Sequence, residues 1–570
     1  VLALLASVLL VSRGLWIARS HGMCVDAPGH LYKGDKFLHR ALPRDIELND
    51  PPLADAISAL PILWTWHIPK AEFNEFDFNT MLPDETLVQV AVFKSLLFVP
   101  AVVLVFWWAA EIYGAAAGWL AAGMLLIDPT FAANIPIAPV DAISTEAILF
   151  ACYAAWKMIC APTRKWQLIT GVSIAIAMLM KHTAVILPGV VVAMAVIAWS
   201  LRRISPSPGT LGEGGGERSS AHQKSTAIEK RPSHYPSPGV PGEGTRMGFA
   251  RACRTLAIVF LTAAISLWAL TLFDIRRPYM PARWKADPPA WATALTHLKL
   301  PAGMYVASFM EAMSHNDEGH PAFLFGQFSK TGWWYYFPAV ATVKTPVGFF
   351  VIILLGLLSL TVVRPRWAEL SLLIPFAAWT SLLMDSHINI GFRHFLTPYL
   401  FGLMMSTRCL AARGRLWHVA AWCGLISALI NVSTFGPDFL SYVNRDIPAP
   451  WRLISDSNLD WGQTSKQAGQ WVARNVPPNQ PVAYVHFGYV REDWIGSRVT
   501  LVDWNKDLPT HGLLILSPNY AIYPRFKWLE SADPVAIIGH NTPVYDLDSL
   551  ASRGEIVWQK PRRPWRDLRP

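Results

Sequence analysis

The sequence predicts a polytopic α-helical membrane protein with a small α/β domain at its C-terminal end. Three observations carry this expectation. Of 570 residues, 52% are hydrophobic and 16% charged, with a mean hydropathy of +0.29. Apolar runs of roughly 17–25 residues recur, the length a helix needs to cross hydrocarbon. After Ser433 the pattern changes to short apolar runs separated by turn residues.

In chain order the spans read as Val1–Ile17, Leu87–Ala109, Ala115–Leu126, Ile143–Cys160, Leu168–Met180, Ala184–Leu201, Leu256–Leu272, Val347–Val363, Leu370–Met384, Phe395–Met405 and Val419–Val432. That is about 11 transmembrane helices. Basic residues set the orientation. Arg164-Lys165, Arg202-Arg203 with Arg246, Arg251 and Arg254, Arg364 and Arg366, and Arg408 with Arg413 and Arg415 fall on one side when spans alternate, which makes that side cytoplasmic. The segments 20–85, 129–141, 274–346, 385–394 and 433–570 then lie outside. Arg13 and Arg19 sit near the outer end of the first span and need snorkelling or an anionic partner. The chain begins at Val1 without a basic leader, which reads as a trimmed start rather than a cleaved signal peptide.

The net charge of +9 is explained by these cytoplasmic-side Lys and Arg, and no nucleic-acid motif accompanies it. Of six cysteines only Cys24 is expected outside, so no disulfide framework or zinc spacing arises. Residues 202–249 read as a disordered cytoplasmic insertion. They are rich in Pro, Gly, Ser and Glu, with Pro206-Ser207-Pro208-Gly209 echoed by Pro236-Ser237-Pro238-Gly239. In the tail, Thr464–Asn475 has helical spacing, with Ala468, Trp471 and Val472 on one face. Pro481–Phe487, Val499–Val502, Gly512–Ser517 and Pro534–Ile538 read as short buried strands. No Gly-rich phosphate loop joins them, which argues against nucleotide binding.

The chemistry concentrates at the outer ends of spans. Asp26-Ala27-Pro28-Gly29-His30 follows the first span, and Asn49-Asp50-Pro51-Pro52-Leu53 lies further along the same outer loop, 20–85. Ionisable groups at a membrane exit point to work on something that arrives through lipid. Asp141 opens a span, where helix capping is the rival reading. Lys181 and the Arg393-His394 pair stand on the outer side, against the positive-inside bias, which raises their functional weight. In the large outer loop, 274–346, His315, Asp317 and His320 are of metal-ligating type but lack a recognised spacing. Trp333-Trp334-Tyr335-Tyr336-Phe337 fits an interfacial aromatic belt. Asp456–Gln463 reads as a turn joining the membrane part to the tail, with Asp456 or Asn458 capping locally.

Taken together, these pieces resemble a known family. Asp26-Ala27-Pro28-Gly29-His30 is similar to the Asp-Glu-x-x-His element of bacterial lipid-carrier-dependent glycosyltransferases of the GT-C superfamily, alongside protein O-mannosyltransferases and the aminoarabinose transferase of lipid A. Asn49–Leu53, Pro139-Val140-Asp141, Lys181-His182-Thr183, Gly332–Pro338 with Lys344-Thr345-Pro346, Gly391-Phe392-Arg393-His394 and Asp456–Gln463 follow in matching order. In two places the chain departs from the pattern: Ala27 stands where the family has Glu, and Asn134 where relatives tend to carry His.

The resemblance implies a GT-C-like catalytic module over 1–432 and a soluble extracytoplasmic domain over 433–570, in the inner or plasma membrane with the site on the periplasmic face. It also implies an inverting transfer of sugar from a polyprenyl-phosphate carrier to a protein, lipid or glycan acceptor. Nucleic acid has no part in it, no cofactor is required, and a divalent metal is possible. Catalysis falls to Asp26 and Asp141, donor phosphate binding to Lys181, Arg393 and His394, and support to His30, Asn49 and Asp50. The transfer needs a carboxylate to take the acceptor proton and cations for the departing phosphate. Two other classes remain open: a transporter or flippase of a lipid-linked or polar substrate, and a non-catalytic scaffold with an outer binding domain.

Overall fold

Backbone amides cannot be left unpaired in hydrocarbon, so apolar runs of this length close into helices. The computed structural model describes residues 1–39, 50–63, 82–204, 249–444, 447, 449–529 and 531–554. Within them every expected span is helical: Leu2–Ser20, Asp84–Leu97 running on into Val99–Tyr113, Ala115–Ile127, Asp141–Cys160, Arg164–Met180, Leu187–Ile204, Phe249–Leu270, Val347–Leu358, Leu370–Met384, Leu396–Ser406 and Arg415–Ser433. Among the described residues seven helices are long and apolar enough to cross a membrane, or eight if the bent pair Tyr336–Lys344 and Val347–Thr361 forms one span. The chain is an integral membrane protein. The pair bends by 118° across Thr345-Pro346, where proline ends the first ladder. Ala115–Ile127 and Leu396–Ser406, with 13 and 11 residues, are shorter than the hydrocarbon core and lie inside the bundle. The insertion expected at 202–249 lies outside the described residues over 205–248, as does Asn49.

The outward helix faces are apolar. Leu4, Leu5 and Val8, Leu261 and Ile265, Leu354 and Leu357, and Leu429 and Ile430 are all exposed, an arrangement suited to lipid rather than water. Inside, Trp108, Phe131, Phe337, Phe349 and Trp379 are buried. At the end where the basic residues gather, Arg408 Nε meets Glu369 at 2.9 Å, Lys157 meets Glu111 at 2.9 Å, and Arg366 donates to the Ile112 carbonyl. Arg13 is held by the backbone and lies within reach of the charge of Asp128. Its Nη1 donates to the Leu126 carbonyl (2.7 Å), an end-of-helix acceptor that would otherwise lack a partner.

Two short hairpins occupy the loop 274–346: β1 (Ile275–Arg276) with β2 (Leu300–Pro301), and β3 (Ala322–Leu324) with β4 (Gln327–Ser329). The tail builds one mixed sheet from β5 (Val482–Val485), β6 (Val499–Leu501), β7 (Leu513–Leu516), β8 (Ala536–Ile538) and β9 (Thr542–Asp546), in the order β6-β5-β7-β9-β8. β5 runs parallel to β6 and β7, while β9 is antiparallel to β7 and β8. The four expected strands are all present, and the helix Ser465–Asn475 covers one face through Ala468 and Val472. β9 escaped the sequence reading because Thr542-Pro543 looks like a turn.

Asp438, just past the last span, ties the tail to the end of the first helix. It accepts from His21 Nε2 (2.8 Å), His540 Nδ1 (3.0 Å) and Gln467 Nε2 (2.7 Å). Burial alone would raise its pKa, but the bonds from His21 and His540 outweigh burial and hold the carboxyl well below its ordinary range. A depressed folded-state pKa contributes stability above the unfolded value of about 3.9, and that stability is lost as pH falls toward the folded one. The Tm difference between wild type and Asp438→Asn is therefore expected to be large at pH 7 and to shrink below about pH 4. A pH-independent difference in thermal unfolding scans would rule this role out.

Candidate active site

Three chain segments are brought to one end of the bundle by backbone pairing. Gly22 N–H donates to Gln463 O and Val25 N–H to Trp461 O, each at 2.8 Å, so the 456–463 string runs beside the exit of the first span. Phe392 N–H donates to Asn458 Oδ1 at 2.8 Å, and Ser457 Oγ donates to Ile390 O at 2.8 Å, which docks the Gly391–His394 turn on the same string. Lys344 Nζ braces it from the other side through Leu440 O (2.6 Å) and Asn458 O (2.7 Å). The string expected to be a plain joining turn is thus a wall of the site. Its composition, dense in hydrogen-bonding side chains around one Trp, and its place among the ordered motifs of the resemblance were the signals.

Arg393 is the hub. Its Nη1 donates to Asp141 Oδ2 (3.0 Å), its Nε to Ser457 Oγ (3.0 Å) and its Nη2 to Asp26 Oδ2 (3.4 Å), while the guanidinium lies 3.8 Å from the centroid of the Trp461 ring. Burial works against its charge, but Asp141 and Asp26 more than compensate and raise its pKa. Three fork-geometry donors and a flat stacking face cannot be reproduced by a point charge. Arg393→Lys is therefore expected to lose about 10²-fold in transfer rate, the scale of misplacing one catalytic group. Transfer within threefold of wild type would show that the fork is unused.

Asp141 and Asp26 differ sharply. Asp141 is the first residue of the helix Asp141–Cys160, yet its side chain makes no capping bond. It is 2% exposed and is held between Lys181 on Oδ1 and Arg393 on Oδ2. Asp26 precedes the helix Ala27–Leu38, also without a side-chain capping bond, and its carboxylate is 42% exposed with a single long contact to Arg393. Lys181 Nζ lies 3.5 Å from His394 Nδ1. A protonated amine only donates, so Nδ1 accepts and Nε2 carries the ring proton. That Nε2 is buried without a partner among the described residues. Burial and the cations Lys181 and Arg393 hold the His394 pKa well below its ordinary value, so the ring is neutral.

The supporting residues are placed as follows. His30 Nδ1 pairs with Asp55 at 2.8 Å, both buried, and this joins the helices Ala27–Leu38 and Pro52–Ala59 behind Asp26. Burial would lower the His30 pKa, but Asp55 raises it. Sequence reasoning missed Asp55, whose only signal was its place after Asn49–Leu53. Among the described residues Asp50 pairs with none of the cluster's cations, though its charge is felt by His30. Of the metal-type residues, Asp317 accepts from Trp284 Nε1 (3.0 Å) and the His315 and His320 ring centroids are 5.8 Å apart. Among the described residues no three side chains of this type converge. The aromatic run divides: Trp334 is 66% exposed as a belt residue would be, whereas Tyr336 and Phe337 are buried and the Tyr336 hydroxyl accepts from Asn458.

Next to the charged cluster lies an apolar cavity. Cys24, Ala27 and Trp461 form its wall on the side of the cluster, and Ile17, Leu87 and Val90 carry it toward the spans. Ala27, where a Glu would stand in the family pattern, keeps this wall apolar.

Comparison with known proteins bears on these same residues. Residues 76–211 match the family model of dolichyl-phosphate-mannose-protein mannosyltransferase. The matched stretch contains both Asp141 and Lys181, and it bears out the resemblance read from the motifs. No curated protein matches the sequence. Among solved structures, the chain is similar to ArnT from Cupriavidus metallidurans bound to undecaprenyl phosphate. The two are 12% identical over 95% of this chain and 97% of that one, with a TM-score of 0.30. It is also similar to the oligosaccharyltransferase AglB from Archaeoglobus fulgidus in complex with an inhibitory peptide and a dolichol-phosphate. Here identity is 12% over 84% of this chain and 62% of that one, with a TM-score of 0.40. Overlaps this loose leave the function to be read from the residues.

Proposed function

We propose that this protein is a glycosyltransferase that moves a sugar from a polyprenyl-phosphate carrier to an acceptor on the outer face of the membrane. The observation that carries the reading is the convergence of Asp26, Asp141, Lys181 and Arg393, distant in sequence, at one end of the bundle beside an apolar cavity. A scaffold has no need of that convergence. A transporter would place its charges at the bilayer midplane, where its substrate crosses.

In this reading the cavity takes the hydrocarbon of the carrier, and the cations face its phosphate. Asp26 accepts the proton of the acceptor hydroxyl or amine as that atom bonds to the anomeric carbon. The bond from that carbon to the phosphate oxygen breaks with inversion, and its electron pair leaves on the phosphate. Lys181, Arg393 and the unpartnered Nε2–H of His394 take up the charge that develops there. Preorganised donors in a site shielded from water act without reorganising as the bond breaks. Asp141 serves by holding the two cations in place rather than as a second base, since both of its oxygens are occupied.

The test is release of polyprenyl phosphate from a purified, labelled polyprenyl-phosphate sugar by the protein in proteoliposomes. Acceptor-dependent release supports the reading. Transbilayer movement of the intact donor, with the carrier bond unbroken, would overturn it in favour of a flippase.

A further inference from the structure

A second recess opens between the β3–β4 hairpin and the C-terminal domain. It shares the 455–458 turn with the charged cluster: Ser455 and Asp456 line it, and Ser457, the next residue, accepts from Arg393.

The turn is shaped to present a carboxylate. Asp456 adopts φ +59°, a left-handed conformation that Asp tolerates better than most residues, and its N–H donates to Asn519 Oδ1 at 2.7 Å. Among the described residues its carboxylate accepts one hydrogen bond, from the Ser457 amide at 2.6 Å. Six of the other eleven lining residues are aromatic. Phe487 and Tyr520 lie 6.1 Å apart, Phe328 and Tyr523 6.1 Å apart, and Tyr520 and Tyr523 6.0 Å apart. Behind them Trp504 stacks on Tyr520 at 5.6 Å and 14° and contacts Tyr523 at 4.9 Å, which fixes the ring planes. An interfacial lipid belt does not explain these rings, because Phe487, Trp504, Tyr520 and Tyr523 belong to the sheet-bearing tail beyond the last span.

We propose that this recess is an acceptor subsite that holds a carbohydrate ring. The inference rests on the glycosyltransferase reading and names its acceptor as a glycan. A pyranose offers apolar C–H faces to aromatic planes and hydroxyl or amino donors at its rim, while the Asp456 carboxyl supplies a hydrogen-bond acceptor at the recess wall. Extended peptides bind chiefly by adding a strand to an open sheet edge. Here β3 is paired with β4 on one side and bridged to Ile454 on the other, so β3 offers no such edge. Because the recess and Arg393 meet at adjacent residues, a glycan seated there extends toward Asp26 along a single turn of chain.

The experiment is saturation-transfer NMR on the full chain in detergent, with chitobiose and lactose as probes and an Ala-Thr-Ala peptide as competitor. Wild type is expected to transfer saturation to the ring protons of at least one disaccharide. Tyr520→Ala and Asp456→Asn should each weaken binding by about tenfold, whereas Tyr520→Trp, which keeps a stacking plane, should retain it. Loss in Tyr520→Ala without recovery in Tyr520→Trp overturns the stacking role. No signal with either disaccharide, or displacement of the sugar by the peptide, overturns the carbohydrate assignment. Polyprenyl phosphate binding by the same preparation separates the two readings. If the carrier binds and the sugars do not, only this inference fails; if sugars bind and the carrier does not, the donor assignment fails.

Discussion

Asp26→Asn is expected to lower sugar transfer by about 10²–10⁴-fold, the contribution of a positioned general base, with little change in polyprenyl phosphate binding or Tm. The asymmetry follows from exposure. Asp26 is 42% exposed and its one ion-pair contact is the 3.4 Å approach to Arg393, so an amide replaces it at small structural cost. Its carboxylate is also the one in the cluster with an oxygen left for a substrate proton, since both Asp141 oxygens are bound to cations. Single-turnover transfer at saturating donor, with carrier binding measured alongside, checks this. Equal turnover in wild type and variant would remove Asp26 as the base, and a matching loss of carrier binding would reassign it to the donor site.

Asp141→Asn should instead act on stability as well as activity. Removing that charge leaves Lys181 and Arg393 facing each other in a nearly dry pocket, and a buried charge stripped of its partner typically costs about 3–5 kcal/mol. A marked drop in Tm is therefore expected together with loss of transfer. Adding Lys181→Met should recover part of the Tm but none of the activity, because the double variant no longer buries an unpaired amine. A Tm for Asp141→Asn equal to that of wild type, or full additivity of the two changes, would show that the pair is not coupled as the geometry indicates.

The spans and the tail strands were legible because hydrophobic period and length are local properties of the chain. Lys181 and Arg393 stood out for a different reason: in the alternation of spans read from the sequence they fall opposite the basic loops, against a strong bias. What could not be read was partnership. Asp141 at a helix start looks the same whether it caps the helix or faces a cation from another span, and only the packed bundle shows that it does the second. Ser457 and Trp461 were hidden inside a string that resembles an ordinary turn. His315, Asp317 and His320 show the converse, since suitable residue types lay close in sequence while Asp317 turned toward Trp284 instead.

By itself the sequence determined the membrane class, the order of the apolar helical segments, the change to a sheet-bearing tail, and candidate residues at span ends. Each of these depends on interactions between near neighbours in the chain or between a residue and its solvent. Only the tertiary structure decided that one arginine binds both aspartates and that the tail's 456–463 string closes the site. It also decided that Asp26 keeps an open carboxylate where Asp141 does not. Those outcomes depend on contacts between residues 252 and 367 positions apart, which no local period encodes.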